Sequence, residues 1–232
     1  MIHSPTGNLE KKIAIKFKNK SLLQTAFVHR SYLNENKNFE LPSNEKLEFL
    51  GDSVLSLITS IYLYTNYPKL SEGHYTDIKA SIVKTESLYQ AAAKLNLGKY
   101  LYLSKGEQDN NGSNNSSILA DAFEALVAVI FLDQNFDTAY NFVCSYLFAD
   151  KLDKTISNNL YLSSKNKLQE YLQDKFKKLP IYKVMEQKGP EHNKVYNVGV
   201  FFDEKLIATG VGHSKKQAQD NAATAALQKM QI

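Results

Sequence analysis

The sequence predicts a protein of two parts, an all-α unit over residues 1–153 followed by a small α+β unit over residues 165–232. In the first part, apolar residues recur at three- and four-residue steps, which is the spacing of amphipathic helices. In the last part, three short runs of β-branched and aromatic residues are separated by turn-forming residues and lie between two helical segments. Residues 154–164 are rich in Ser and Asn, and we expect them to form a linker.

The helical unit is predicted to contain several helices with short connections. In order, these are two short helices within residues 8–33, a loop over 34–43, a long helix ending near residue 64, and helices over 75–85, 87–95, 117–133 and 136–152. Ser21 is a suitable N-cap for the second short helix, and Ser43 or Asn44 for the long one. Pro68 stops the long helix. Residues 105–117 are polar apart from their glycines, and we expect a mobile loop there.

The long helix carries three carboxylates on one face. At 100° per residue, Glu45, Glu48 and Asp52 lie together, opposite an apolar stripe of Leu47, Leu50, Val54, Ile58 and Ile61. Like charges at this spacing repel one another and destabilise a helix. A solvated acidic face would account for the pattern, and so would a divalent cation that offsets the repulsion.

A second acidic pair lies in a more apolar segment. Residues 117–133 are apolar at nearly every position, which indicates a buried helix, and Asp121 and Glu124 share one side of it. Buried carboxylates are unfavourable unless they are paired or bind metal, and the interior of this segment contains no Lys or Arg. Two acidic groups on two helices therefore suggest a metal centre.

The C-terminal unit is predicted to have the order α-β-β-β-α. Helices are expected over residues 166–176 and 214–230, and strands over 181–187, 195–202 and 206–212. This order packs two helices on one face of an antiparallel sheet.

Charge is divided unevenly between the two parts. The whole chain has a net charge of +4, but from Leu160 onward 12 Lys stand against 7 Asp or Glu, a net charge of +5, so the first 159 residues carry −1. A basic C-terminal part joined to an acidic remainder is typical of a polyanion-binding module attached to another activity.

Three features of the sequence bear on the cellular compartment of the protein. The one cysteine, Cys144, cannot form an internal disulfide, which fits a reducing cytoplasm. The N-terminus lacks the basic-then-apolar pattern of a signal peptide. The longest uninterrupted apolar run, residues 125–132, is too short to span a membrane. We expect a cytoplasmic protein that has no membrane partner.

Several motifs carry a resemblance to a known family. In the helical unit these are residues 29–32 (HRSY), 44–55 (NEKLEFLGDSVL), 72–73 (EG) and 118–126 (ILADAFEAL). In the C-terminal unit they are residues 167–171 (KLQEY), 189–192 (GPEH) and 210–218 (GVGHSKKQA). With these motifs the chain resembles bacterial ribonuclease III over almost its whole length, as a helical nuclease domain followed by a double-stranded RNA-binding domain.

The resemblance implies a catalytic centre made of acids. Its metal ligands would be Glu48, Asp52, Asp121 and Glu124, with Glu45 and Glu72 supporting RNA and water around them. The implied metal is Mg²⁺, with Mn²⁺ as a substitute, and hard carboxylate oxygens suit it. The implied reaction hydrolyses double-stranded RNA to 5′-phosphate and 3′-hydroxyl ends with a two-nucleotide 3′ overhang, in the processing of ribosomal RNA precursors and other structured transcripts.

The resemblance also implies two partners, a second copy of the chain and duplex RNA. Phe49 would insert into the partner subunit of a homodimer. A-form RNA is read by shape, 2′-hydroxyls and phosphates, and the implied contacts with it are Asn166, Gln169, Glu170, His192, Lys215 and Lys216. The last two lie where a helix N-terminus favours anions.

Two other interpretations predict different residues. A regulatory protein that binds duplex RNA without cutting it would lack one of the metal carboxylates, and all four are present. A di-metal redox protein would carry Glu-x-x-His pairs on its helices, and the helices here have none. Ser116, where the family commonly has Glu, and the Asn- and Ser-rich segment before it depart from the family pattern without removing a predicted ligand.

Overall fold

The computed structural model describes residues 6–190 and 193–231, except for the side chains of residues 150 and 151. The chain divides into two compact units, Met1–Asn158 and Asn159–Ile232. We describe each unit by itself.

The first unit is all-helical over its described residues, apart from one isolated β-bridge between Val28 and Tyr102. Its α-helices are α1 (Gly7–Ile13), α2 (Lys20–Thr25), α3 (Arg30–Glu35), α4 (Glu45–Asn66), α5 (Glu72–Ile82), α6 (Thr85–Leu95), α7 (Lys105–Asp109), α8 (Ser116–Asp133), α9 (Phe136–Val143) and α10 (Ala149–Ser157). Short 3₁₀ turns lie at Leu97–Lys99 and Gly112–Asn114, and a π-helical turn at Cys144–Phe148 joins α9 to α10. Helix α8 is the centre of this unit, because nearly all its side chains from Ile118 to Ile130 are buried and α4 and α6 pack on it.

Helix α4 confirms the predicted long helix but not all of its apolar stripe. Ile61 is 38% exposed, so its predicted burial is wrong. The buried face instead passes through Gly51, Leu55 and Leu63, because it follows the contact with α8. By length and composition alone, this 22-residue helix could cross a membrane, although it contains no long uninterrupted apolar run. Here it packs as a core helix against α8.

The predicted helix caps are only partly correct. Asn19, not Ser21, caps α2, because its side chain accepts a hydrogen bond from the Leu22 backbone N–H at 2.9 Å. Asn44 stands at the start of α4 without capping it through its side chain. That side chain is buried and donates to the carbonyl oxygen of Ala26 at 3.3 Å, which ties α4 to the end of α2.

The predicted loop over residues 105–117 is largely helical. It forms α7, a 3₁₀ turn and the first turn of α8. Ser104 caps α7 by accepting from the Glu107 N–H, and Asn115 caps α8 by accepting from the Ser117 N–H. Close packing adds to these caps, since a Cβ on Gly112 would lie 2.7 Å from the Glu107 carbonyl oxygen. Local capping and packing thus order a segment whose composition is typical of a loop.

The end of the helical unit also differs from the prediction. The predicted single helix over 136–152 is interrupted by the π-helical turn, and α10 then continues to Ser157, into the predicted linker. Leu152 and Thr155 are buried on α10, which explains why the helix extends.

The second unit confirms the predicted α-β-β-β-α order. It consists of α11 (Ser164–Phe176), β1 (Ile181–Lys188), β2 (Val195–Phe202), β3 (Lys205–Gly212) and α12 (Lys215–Met230). The strands form an antiparallel sheet in the order β1-β2-β3, with Val198 opposite Val184 on one side and Gly210 on the other. The buried core joins Leu168 and Leu172 of α11, Val200 of the sheet and the alanines of α12.

Helix α12 lies directly on the sheet. A Cβ on Gly210 would be 2.1 Å from the Ala222 backbone nitrogen, so the contact requires glycine there. The same helix buries Ala218, Ala222, Ala223 and Ala226, and small residues are what allow the close approach. This contact fixes where the N-terminal turn of α12 lies relative to the sheet.

Candidate active site

The two acidic helices meet at Gly51 of α4. A Cβ atom on Gly51 would lie 2.0 Å from the Glu124 carbonyl oxygen and 3.1 Å from its Cα atom. On α4, Glu48 lies about one turn before Gly51 and Asp52 directly follows it, and on α8 Asp121 lies about one turn before Glu124. The backbone contact therefore brings the two predicted acidic pairs to one place in the fold.

The electrostatics of Glu124 show that the four carboxylates are neighbours. Burial, and then the charges of Asp52, Glu48 and Asp121 in that order, together raise the pKa of Glu124 to about 8. The pKa of Glu48 is raised by burial and then by Asp121. The pKa of Asp121 is also raised by burial. Glu48, Asp121 and Glu124 are partly buried, and the charge of the exposed Asp52 acts on Glu48 and Glu124, as expected for a shared site.

Little positive charge offsets this cluster. The nearest ion pair among the described residues joins Arg30 to Glu45 at its outer edge, at 3.7 Å with both side chains mostly exposed. In the part of the chain that the structure describes, no three acidic, His or Cys side chains already converge into a liganding set. The acids thus lie in the same region, but their side chains are not arranged as a complete set of metal ligands.

Glu45 and Glu72 occupy different positions from the four central acids. Glu45 is exposed at the first turn of α4, where its carboxylate accepts from Ser43 Oγ at 2.8 Å. Its charge still contributes to the raised pKa of Glu48. Glu72 is exposed at the start of α5 and accepts from Thr76 Oγ1 at 3.1 Å. Its charge is not among the causes of the raised pKa values of the central acids.

His29 lies at the edge of the acid cluster, which the sequence did not indicate. It caps α3, and the charges of Glu107, Asp121 and Glu45 act on its half-buried ring. From the sequence, His29 is predicted to pack against or cap a helix, with contact to RNA as the alternative. Its proximity to Asp121 depends on the fold, because 92 residues separate the two.

The predicted RNA contacts that the structure describes lie on the helices α11 and α12. Asn166 is partly exposed at the first turn of α11, and Gln169 and Glu170 are exposed one turn later. Lys215 and Lys216 are exposed at the first turn of α12. His192 lies outside the described residues.

The N-terminal turn of α12 is held in place by local hydrogen bonds. Ser214 caps the helix by accepting from the Gln217 N–H at 3.1 Å. The Lys215 Nζ lies 5.9 Å from the centre of the Tyr196 ring on β2, within cation–π range. One lysine is thus positioned over an aromatic ring of the central strand β2.

Phe49 is one of the most exposed apolar residues of the chain. Its side chain is 79% exposed, although it lies on the same helix as the buried acid-bearing contact. Leu57, Ile61 and Tyr64 are also exposed on α4. Together these four side chains form an apolar surface, which we call the α4 surface.

Comparison with known proteins identifies both units. A family model described as ribonuclease-III-like matches residues 19–151, and a double-stranded RNA binding motif matches residues 164–230. Ribonuclease 3 of Dehalococcoides mccartyi is 42% identical over 225 residues, which is 96% of this chain and 94% of that protein. Ribonuclease 3 of Leptospira interrogans is 44% identical over 217 residues, or 93% of this chain and 86% of that protein.

A solved structure agrees with the assignment of the helical unit. The crystal structure of the nuclease domain of ribonuclease III from Campylobacter jejuni matches with a TM-score of 0.57 and 34% identity, over 62% of this chain and 94% of that chain. Together with the two family matches and the full-length relatives, this likeness leads to one conclusion. The chain belongs to the ribonuclease III family of double-strand-specific endoribonucleases.

Proposed function

We propose that this protein is a Mg²⁺-dependent endoribonuclease that hydrolyses double-stranded RNA to 5′-phosphate and 3′-hydroxyl ends with a two-nucleotide 3′ overhang. Its substrates would be ribosomal RNA precursors and other structured transcripts in the cytoplasm. The observation that carries the proposal is the crossing of α4 and α8, which gathers Glu48, Asp52, Asp121 and Glu124 with little nearby positive charge.

The residues of this cluster fit a divalent cation. Their carboxylate oxygens are hard ligands of the kind that Mg²⁺ prefers, and Mn²⁺ could occupy the same ligands. The raised pKa values report an energetic cost of holding negative charge here, and a cation would remove that cost. When bound, the metal would supply an activated water and stabilise the leaving oxygen. The four central acids would hold it.

The chain's own groups have separable roles in this proposal. Glu124 carries a proton over much of the neutral range when no cation is present, so it must release that proton before it can serve as a ligand. Glu45, held by Ser43 and close to Arg30, would orient RNA or water at the rim. Glu72 would support RNA from the start of α5.

The second unit would bring the duplex to the nuclease unit. A-form RNA presents a wide minor groove with 2′-hydroxyls and a narrow major groove flanked by phosphates. In the proposed interface, Asn166, Gln169 and Glu170 contact one minor groove, and His192 contacts the next. Lys215 and Lys216 meet the phosphates between these grooves, where the N–H groups of the α12 N-terminus also attract anions. We propose residues 1–153 and 165–232 as domains connected through residues 154–164, of which residues 154–157 complete α10.

We also propose that the protein acts as a homodimer through the α4 surface. Exposed apolar clusters of this kind commonly mark interaction sites. Another structure of the Campylobacter jejuni nuclease domain concerns structural flexibility in a region involved in dimer formation. In our proposal Phe49, the most exposed member of the α4 surface, inserts into the partner subunit.

A cleavage gel tests the proposed function. A perfect RNA duplex is incubated with the protein and Mg²⁺, beside single-stranded RNA, a DNA duplex and a sample containing EDTA. We expect cleavage of the RNA duplex alone, only with the metal, and products that carry 5′-phosphates. Equal cutting of single-stranded RNA, or full activity in EDTA, would contradict the proposal.

A further inference from the structure

The imidazole ring of His29 is held by a short network of hydrogen bonds. Its Nδ1 accepts from the Ser31 backbone N–H at 3.3 Å and lies 2.8 Å from Ser31 Oγ. Ser31 Oγ in turn accepts from the Ser104 backbone N–H at 3.1 Å. The His29 backbone N–H donates to the Tyr102 carbonyl oxygen at 3.1 Å. Both the backbone and one edge of the ring are therefore fixed.

This network determines which ring nitrogen carries the proton. The Ser31 backbone N–H can only donate, so Nδ1 must offer it a lone pair. The neutral ring then carries its proton on Nε2. Burial lowers the pKa of His29 below its ordinary value, which favours this neutral form. The result is a rigid ring with a single N–H donor at Nε2.

The Nε2 donor has no hydrogen-bond partner among the described residues. It is not a fully buried atom either, since the only buried polar side-chain atoms without partners in the described chain are on Tyr182 and Asn197. The ring lies within reach of the charges of Asp121 and Glu107. An accessible, oriented donor thus stands beside the acid cluster.

We propose that His29 is a substrate-contacting residue of the nuclease unit, with its Nε2–H donating to a backbone oxygen of the RNA strand at the acid cluster. The inference rests on the proposed function, because it takes that cluster to be where RNA is cut. Nε2 would therefore contact RNA, whereas the capping of α3 requires only Nδ1.

Two substitutions separate contact with RNA from capping. In His29→Asn, the side-chain oxygen replaces Nδ1 and keeps the cap, because Asn is among the preferred N-cap residues, but the distal donor is lost. In His29→Gln, the amide N–H extends to about the position of Nε2, and the cap is weakened. We measure single-turnover cleavage of a short RNA duplex, duplex binding in EDTA, and the melting temperature Tm of each variant.

Contact with RNA and helix capping predict opposite rankings of the two variants by cleavage rate. If His29 contacts RNA, His29→Asn keeps Tm within about 2 °C of wild type and cleaves roughly 10- to 100-fold more slowly, as expected for a lost hydrogen bond to a charged oxygen. His29→Gln then retains cleavage within about fivefold despite a lower Tm. Full activity of His29→Asn, or equally low activity of both variants, overturns the inference. If the wild-type protein does not cleave duplex RNA at all, the proposed function fails instead, so the two failures are distinguishable.

Discussion

Gly51 of α4 lies against the backbone of Glu124 on α8, so closely that a Cβ at Gly51 would be 2.0 Å from the Glu124 carbonyl oxygen. No flexible side chain lies between the two helices at this point, so a methyl group can be accommodated only by moving one helix. The distance between the two acidic pairs therefore depends on the absence of a side chain at residue 51.

Substitution of this glycine is expected to disturb both folding and catalysis. Gly51→Ala should destabilise the nuclease unit by about 1–3 kcal/mol through overpacking, although alanine has the higher helix propensity. Because displacement of about 1 Å at a site can lower a rate 100-fold, we expect at least a tenfold loss of duplex cleavage. Thermal unfolding and single-turnover cleavage measure the two effects.

The matched control is Gly106→Ala in α7, where a Cβ would meet no atom within 4 Å. This variant should be as stable as wild type or slightly more stable, with unchanged cleavage. A normal Tm and normal cleavage in Gly51→Ala would show that the helices adjust freely at this contact.

Removal of one carboxylate charge should separate cleavage from binding. Glu124→Gln preserves the size of a half-buried side chain but removes a proposed metal ligand, so cleavage should fall by about 100-fold or more. Duplex binding should stay within a few-fold, because most of the proposed RNA contacts belong to the second unit. The control Glu86→Gln makes the same chemical change at an exposed residue of α6 and should have no effect. Joint loss of cleavage and binding in Glu124→Gln would indicate misfolding.

The raised pKa of Glu124 predicts how stability depends on pH without metal. In the fold this pKa is about 8, against an ordinary value of 4.5. Between these values the folded protein binds a proton that the unfolded chain lacks, so the stabilisation is complete below about pH 4.5 and is lost as pH rises through 8. The raised pKa values of Glu48 and Asp121 act in the same direction. The lowered pKa of His29 acts oppositely, below its ordinary value of 6.5.

The window from pH 6.5 to pH 8 therefore isolates the carboxylates. In EDTA, the Tm of the nuclease unit should fall by roughly 2–4 °C across this window, an effect of about 1 kcal/mol after allowance for partial solvent screening. Glu124→Gln should flatten the change, and Mg²⁺ should raise the wild-type Tm most at pH 8, where fewer protons compete for the acids. A Tm that rises with pH in EDTA would contradict the assigned pKa shift.

Sequence periodicity was sufficient to predict the element order of the second unit, the long helices α4 and α8 of the first unit, and the acids on those two helices, but it did not predict α7. The close approach of Gly51 to Glu124 was not predictable, since it depends on how α4 and α8 cross. The helical structure of residues 105–117 was not predicted, because the composition of this segment is typical of a loop. Its helices are capped by Ser104 and Asn115. The position of His29 beside Asp121 likewise needs tertiary structure. Local patterns identified the chemistry of the site, and packing determined its geometry.

The lysines at the start of α12 should contribute to RNA affinity through phosphate contacts. The double substitution of Lys215→Ala and Lys216→Ala should weaken duplex binding and reduce the slope of log affinity against log salt by about one per lost phosphate contact. The control pair Lys205→Ala and Lys229→Ala removes equal charge near the other end of β3 and α12, where Lys229 Nζ donates to the Ile207 carbonyl oxygen. Filter binding across a salt series measures both pairs. If the Lys215→Ala and Lys216→Ala variant kept the wild-type salt slope, these lysines would not contact RNA phosphates.

Phe49 should control self-association, because a side chain that is 79% exposed on an apolar surface gains most from burial in a partner. Truncation to alanine at the centre of an interface commonly costs about 2 kcal/mol or more, so Phe49→Ala should weaken a dimer roughly 30-fold. Sedimentation velocity over a concentration series would then show monomer where the wild-type protein is dimeric.

The control Leu179→Ala shortens another exposed apolar side chain, in the RNA-binding unit, and should leave the dimer intact. Because Phe49 is solvent-exposed in the single chain, its loss should leave the monomer's Tm nearly unchanged, which separates an interface role from a folding role. Identical sedimentation of Phe49→Ala and wild type would exclude Phe49 from the interface.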